Sequence, residues 1–366
     1  MFTRRYVKTD RKSKGAIYEK NCKLVACTLF ACAMLGSSVF AEEGFKLSGY
    51  IQAGLSTDVT GDDKTATTST WFDGDYFGGS SRIRINMDWT SADGTSGASF
   101  RLQTSGPIET WSVDSIAYAF GYTSLFNNMV TIAAGKLHDN WAGYSYGWNG
   151  WSAIDGKSGA AVILSPVEGL NLVAAGVIDY ETSLTETVDG KTTDTYTYDT
   201  KKDLAVFEAQ YSYGPLVING GYALSETGYA TVQYSTDTLT ASADYYYDWA
   251  KDGMDNTISE WVEYTGVDKM TLGAVVYEYM DDDAAKMQLD ITPAVKYQVT
   301  DLAAASLEGT YHLDLDESDN NTISVTPAVV LTANDTTEAE IWGTYGYDNG
   351  SDDSTFKVGA GVKKSF

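Results

Sequence analysis

The sequence predicts an all-β protein, a transmembrane antiparallel up-and-down β-barrel of about 18 strands, with 16 as the alternative count. Three observations predict it. From Phe45 to Phe366, apolar or aromatic residues alternate with polar or small ones, in segments of about ten residues, the length a tilted membrane-spanning strand needs. Nothing in this region is a continuous apolar run long enough for a transmembrane helix, so any membrane role falls to strands, whose backbone groups must then be paired in a closed ladder. The connectors alternate between short turns and longer acidic loops, giving the two rims of a barrel different characters.

Residues 1–41 read as a cleaved signal peptide, and residues 42–366 as a single barrel domain. The basic run containing Arg4, Arg5, Lys8, Arg11, Lys12, Lys14, Lys20 and Lys23 is followed by "LVACTLFACAML" and the small-residue end "SSVFA", with cleavage expected after Ala41. A membrane anchor is the rival for this segment, and "LFAC" gives a loose lipoprotein signal on Cys32. Cys22, Cys27 and Cys32 are the chain's three cysteines and all fall here, which leaves the remainder without disulfides, thiolate metal sites or a catalytic cysteine. The whole chain carries 25 basic and 50 acidic residues, a net charge of -25. Without the leader, which holds eight of the basic and two of the acidic residues, the net charge becomes -31. Such a surface repels nucleic acid.

Alternating segments begin near residues 45, 80, 97, 113, 129, 157, 170, 203, 215, 228, 238, 257, 269, 285, 301, 321, 337 and 354. In "LTASADYYYDW", Leu239, Ala241, Ala243, Tyr245, Tyr247 and Trp249 fall on one face and Thr240, Ser242, Asp244, Tyr246 and Asp248 on the other. A soluble sandwich would put large aliphatic residues where this chain often has Ala or Gly. The short connectors "TSADGT", "SLFNN", "SPVEG", "SYGP", "STDT", "TGVDK", "VTD" and "ANDTT" mark the periplasmic rim, which puts both chain ends on that side. Tyrosine and tryptophan should collect at the membrane interfaces. Tyr180, Tyr222, Trp249, Tyr311 and Tyr347 end upward segments, whereas Tyr213, Tyr234, Tyr264, Tyr297 and Phe366 end downward ones.

Pro293 and Pro327 stand at the same phase of "DITPAVKYQV" and "SVTPAVVLT", each followed by a similar second segment, so a duplicated hairpin is expected, with a bulge or kink at each proline. The final "TFKVGAGVKKSF" puts Phe356, Val358, Ala360, Val362, Lys364 and Phe366 on one face. It resembles the carboxy-terminal assembly signal of outer-membrane barrels, with Phe366 as the residue presented to the barrel-assembly machinery.

Along "LSGYIQAGLS", "SSRIRINMDWTSADGTSGASFRLQT", "IAYAFGYTSLFNNMVTIAAGK", "VILSPVEGLNLVAAGVIDY" and "FEAQYSYGPLVINGGYAL", the chain resembles the general, trimeric porins of Gram-negative outer membranes. The resemblance implies the outer membrane of a diderm bacterium, a homotrimer in outer-membrane lipid, and a third loop folded into the lumen opposite basic wall residues. Parity agrees on the wall. With Ile83, Ile85, Met87 and Trp89 facing lipid, Arg82, Arg84, Asn86 and Asp88 face the lumen, as does Arg101 between Phe100 and Leu102. A hairpin centred on "ADGT" sets Asn86 opposite Arg101 and Arg84 opposite Gln103, about 7 Å between the two arginines along the strands. Beyond the leader these three are the only arginines, against fourteen scattered lysines. Lys136 is a weaker member of the group, since strict parity turns it outward. A polar lumen that merely tolerates charge is the plainer reading.

The third loop, "HDNWAGYSYGWNGWSAIDG", has Asp139 and Asp155 near its ends and Trp141, Tyr144, Tyr146, Trp148 and Trp151 between them, without the family's acidic centre. These aromatics either stack on sugar rings, as in carbohydrate-selective barrels, or pack the loop against the wall. The acidic runs at 281–283, 314–319 and 348–353 match no defined metal loop and read as solvated surface. His138 and His312 suggest no zinc site, and no serine sits in a nucleophile motif, so neither an enzyme nor a cofactor is expected. The expected function is a water-filled channel for passive diffusion of small hydrophilic solutes and ions. The pore constriction is assigned to Arg82, Arg84, Arg101, Lys136, Asp139 and Asp155. A sugar-selective porin with an aromatic third loop, or a surface adhesin or receptor barrel, is the alternative.

Overall fold

The computed structural model describes residues 44–60, 66–67, 70–72, 79–80, 82–105, 116–142, 152, 154–178, 180–188, 191–198, 204–224, 227–248, 256–281, 286–316 and 321–366. The expected leader, Trp249, and Tyr144, Tyr146, Trp148 and Trp151 of the third loop lie outside them.

Among the described residues, eighteen antiparallel strands form one closed sheet. They are β1 (Phe45–Asp58), β2 (Arg82–Thr90), β3 (Ser96–Ser105), β4 (Ile116–Leu125), β5 (Val130–Lys136) and β6 (Ser158–Val167). Next come β7 (Leu170–Ile178), β8 (Leu204–Tyr213), β9 (Leu216–Ala223), β10 (Thr227–Ser235), β11 (Leu239–Asp248) and β12 (Asn256–Val267). The last third is β13 (Met270–Asp281), β14 (Lys286–Thr300), β15 (Ala303–Asp314), β16 (Thr322–Asn334), β17 (Thr337–Asp348) and β18 (Asp353–Ser365). Every strand begins within three residues of its expected start, and the count is 18 rather than 16. Each strand pairs with its chain neighbours, and β1 also pairs with β18, from Tyr50 opposite Ser365 to Asp58 opposite Lys357. A ribbon of Tyr180–Val188 against Lys191–Tyr198 forms a separate sheet between β7 and β8, so Tyr180 begins this ribbon rather than ending a barrel strand.

The alternation read from the sequence becomes two surfaces. Outward positions are apolar and exposed, among them Val162, Phe207, Val232, Leu307, Val329 and Ile341, the last 63 % exposed. Inward positions of β10–β17 are largely polar: Thr231, Gln233, Ser242, Asp244, Ser259, Thr292, Ser306, Glu308, Thr326 and Glu340 are buried. A soluble protein hides its apolar face, whereas this sheet turns that face out, which is the arrangement of an outer-membrane barrel whose outer solvent is lipid. Tyr213, Tyr234, Tyr264, Tyr297 and Phe366 stand exposed at one rim, and Tyr222 and Tyr311 toward the other.

The prolines depart from expectation. Ladder pairs are missing at Thr292 and Pro293 on the β15 side and at Thr326 and Pro327 on the β17 side, yet the register is the same before and after each gap. No bulge forms there, because a missing N–H deletes ladder bonds without inserting a residue. Register shifts occur instead near the turns, between Gln298 and Thr300 and between Thr332 and Asn334. Inward hydroxyls bridge the proline gaps, Thr292 to Thr310 at 3.3 Å and Thr326 to Thr344 at 2.8 Å. Both elements of this device recur 34 positions apart, as the duplication predicts.

Candidate functional site: an arginine wall and the third loop

The site begins at a turn. In "TSADGT", Asp93 accepts hydrogen bonds from the Ser91 hydroxyl (2.7 Å) and from the Thr95 N–H and hydroxyl (3.1 and 2.9 Å), and Gly94 takes φ +71°. These bonds close the β2–β3 hairpin and fix its register. Asn86 stands opposite Arg101 and Arg84 opposite Gln103, the pairing expected from the sequence. On the other side of β2, Arg84 stands opposite Tyr50, and Arg82 opposite Gln52, which is also opposite Lys363.

The inward side chains interlock across five strands. Arg84 Nε donates to Gln103 Oε1 at 2.8 Å, and Arg101 Nε to Asn86 Oδ1 at 2.7 Å. Arg84 lies 5.4 Å from the Tyr50 ring centroid, and Lys363 Nζ lies 5.6 Å from the same ring. Arg101 lies 4.6 Å from the Tyr118 centroid. Each guanidinium is thus held at its Nε by an amide from the neighbouring strand and against its face by a tyrosine. Asp88, the acid of this wall, accepts a 2.6 Å hydrogen bond from Ser99. Arg82 holds its strand position, but its side chain lies outside the described residues.

The third loop joins β5 to β6 and meets this wall at Tyr118. His138 stacks on the Tyr118 ring at 4.4 Å and 7°, and its Nδ1 is 2.5 Å from Asp155 Oδ1. The Asp139 N–H donates to the same carboxylate at 3.2 Å. Burial raises the Asp155 pKa, but the hydrogen bond and charge of His138, the Asp139 N–H and the Arg101 guanidinium outweigh it and hold the acid below the ordinary carboxylate value. Asp139 itself starts a turn, accepting from the N–H groups of Trp141 and Ala142 at 3.0 Å each and from Ser152 Oγ at 2.7 Å. Asp139 and Asp155 are therefore both on the loop, and Asp155 is the acid whose titration responds to Arg101.

Lys136 is a partial exception. It alternates with the inward Thr131 and Ala133, and its ammonium donates to the Ile116 carbonyl at 2.6 Å, at the end of β4. Ile116 is paired with Leu102, the residue after Arg101, so Lys136 reaches the backbone at the end of β4. Trp141, half-buried, packs edge-on against Phe120 at 5.8 Å and lies against the buried apolar cluster.

Sequence reasoning missed the wall on which the loop lies. Leu137, Ala142 and Ile154 of the loop are fully buried against inward Tyr118, Phe120, Ala161, Ile163, Val173, Ala175, Val177 and Val206. Polar groups tie the loop's backbone and side chains to the same strands. Asn171 on β7 donates to the Trp141 carbonyl at 2.7 Å, and buried Asn219 on β9 donates to the Ala142 carbonyl at 3.0 Å. Glu208 on β8 accepts from Tyr229 of β10 at 2.9 Å and lies 3.3 Å from Ser152 Oγ, whose single proton it competes for with the nearer Asp139. The available signal was the apolar character of β6–β8 on both faces: inward Ile163, Val173, Val177 and Val206 are expected only where something covers the wall. Among the described residues, no group of three or more His, Asp or Glu side chains is arranged to hold a metal ion.

No family model matches the chain, and no curated protein matches it. Solved structures do. The anion-selective porin from Comamonas acidovorans is 12 % identical, with 89 % of this chain and 100 % of that one covered and a TM-score of 0.49. A mutant of the Rh. blastica porin is 17 % identical over 88 % of this chain and 100 % of that one, at a TM-score of 0.47. Outer-membrane expressed OmpT of Vibrio cholerae is 15 % identical over 90 % and 99 %, at 0.45.

Proposed function

We propose that the protein is an outer-membrane porin, a water-filled channel through which small hydrophilic solutes and ions diffuse passively, with Arg82, Arg84 and Arg101 at the constriction opposite the third loop. The reading includes export by the cleaved leader, insertion by the barrel-assembly machinery and assembly as a homotrimer. What carries it is the pairing of Arg84 and Arg101 on inward positions of adjacent strands, each locked by an amide, where the inward-folded loop meets the wall. Fixed guanidinium groups in a narrowed, partly desolvated passage present a standing positive field, while the carboxylates elsewhere on the inner wall and loops attract cations into the vestibules. Asp139 and Asp155 on the loop oppose the arginines across that level.

Purified protein inserted in a planar bilayer should give stepwise current increments; insertion without steps refutes the channel. With Arg84 and Arg101 both replaced by alanine, the reversal potential in a salt gradient should move toward cation preference by about 10 mV or more, since two fixed charges are lost beside the permeating ion. An unmoved reversal potential removes the arginines from the constriction.

A further inference from the structure

A guanidinium group has two edges that donate in pairs: Nε with one terminal nitrogen, and the two terminal nitrogens together. Arg101 uses the first. Its Nε is bound to Asn86 at 2.7 Å, and its face rests 4.6 Å from the Tyr118 ring. Tyr118 is in turn immobilised, 6 % exposed, stacked on His138 at 4.4 Å and edge-on to Phe120 at 6.0 Å. The loop acid nearest in charge, Asp155, is taken by His138 and the Asp139 N–H. Among the described residues, neither terminal nitrogen of Arg101 donates to a protein acceptor. The second edge is therefore fixed in direction and left for something else.

We propose that this edge makes Arg101 a receptor for carboxylate-bearing solutes, so that the pore favours small organic acids over halide of the same charge. Two coplanar carboxylate oxygens accept both terminal N–H groups at once, in two parallel bonds, whereas a spherical halide cannot match the fork. Asn86 acts as a positioning residue: it contributes no charge, and it fixes the plane in which the fork lies. Arg84 supplies attraction without needing that orientation. The proposal rests on the channel reading and goes beyond it, because a diffuse positive field would rank anions by charge and mobility alone.

The test is a bi-ionic measurement on single channels, with potassium chloride on one side and potassium acetate on the other. The acetate-to-chloride permeability ratio of the wild type should exceed the ratio of free-solution mobilities by about threefold, the effect of one added paired hydrogen bond in a hydrated passage. In Arg101→Lys, which keeps the charge and loses the fork, and in Asn86→Ala, which frees the guanidinium, the ratio should fall to the mobility value. A wild-type ratio at the mobility value, or an enhanced ratio that persists in either conducting variant, overturns the proposal. Should neither variant conduct, the wild-type ratio decides. Absence of any channel steps from the wild type is the separate failure of the channel reading.

Discussion

A guanidinium that is free to rotate is a positive charge; one held at Nε and stacked on a ring is also a direction. Asn86 and Gln103 convert Arg101 and Arg84 in this way, and both were readable because the "ADGT" turn sets the register and alternation sets the face. Their tyrosine supports were not readable: Tyr50 and Tyr118 come from strands whose register against β2 and β3 depends on long connectors rather than a short turn. Lys136 was the weaker member because parity already turned it outward in the sequence, and what was not readable there is the Ile116 carbonyl that takes its ammonium.

At the same scale, Asp155 gives the loop a pH dependence. Its pKa is lowered in the folded protein, so its contribution is present above the ordinary carboxylate value near 3.8 and is lost as pH falls through and below it. The groups facing it are His138, the Asp139 N–H and the Arg101 charge. Current noise from loop motion should stay flat from neutral pH down to about pH 5 and rise below about pH 4. Asp155→Asn should remove this acid rise; an equal rise in the variant assigns it to another group.

In the proposed channel the third loop is the element that would narrow the tube, and its described ends are held by side chains of β7–β9. Asn219 and Asn171 donate to successive loop carbonyls; truncating Asn219 leaves the buried Ala142 carbonyl without its partner, at a cost of about 1–3 kcal/mol, whereas the half-buried Trp141 carbonyl loses less with Asn171. Asn219→Ala should produce brief closures and noisier open states in single-channel records, with the ion preference of the open level retained. Because both tethers serve one loop segment, Asn171→Ala with Asn219→Ala should depart from the sum of the single effects by more than about 0.5 kcal/mol in urea-denaturation midpoints converted to free energy. Additive effects mean the two act independently. From sequence the loop could be located, its acids named and its inward fold expected from resemblance, but the wall residues beneath it could not be named. The aromatics left open sugar stacking or packing against the wall, and the residues that pack beneath the loop, Ile163, Val173 and Val206, lay in segments already accounted for as strands. The prolines erred differently. A missing donor was anticipated, but the threonine pairs that span the gap connect positions 18 apart in sequence and become visible only with the register.

For the molecule as a whole, strand number, order and the assignment of faces were legible because two solvents enforce a period of two on nearly every strand. Val329 and Val330 on β16 put that to a direct test. They are adjacent and identical, yet Val329 is exposed outward and Val330 faces inward, opposite Glu340. Val329→Lys should destabilise the barrel by about 2–4 kcal/mol if it lies near the bilayer midplane. Val330→Lys should fold nearly as well as the wild type and shift ion preference toward anions. Equal destabilisation by both substitutions, read as loss of heat-resistant mobility in gels, contradicts the assigned faces.

The seam between β1 and β18 joins Ile51 to Lys364 and Asp58 to Lys357, partners about three hundred positions apart in a chain whose other barrel pairings are all between consecutive strands. Hairpins can form one by one during export, but this last ladder waits for both ends of the sheet and meets the largest loop-closure entropy of any pairing in the barrel. Until it forms, two unpaired edges stand open to any passing strand. A molecule arrested at that stage would advertise its incompleteness to proteases and chaperones of the cell envelope, and closing the ring would remove the advertisement.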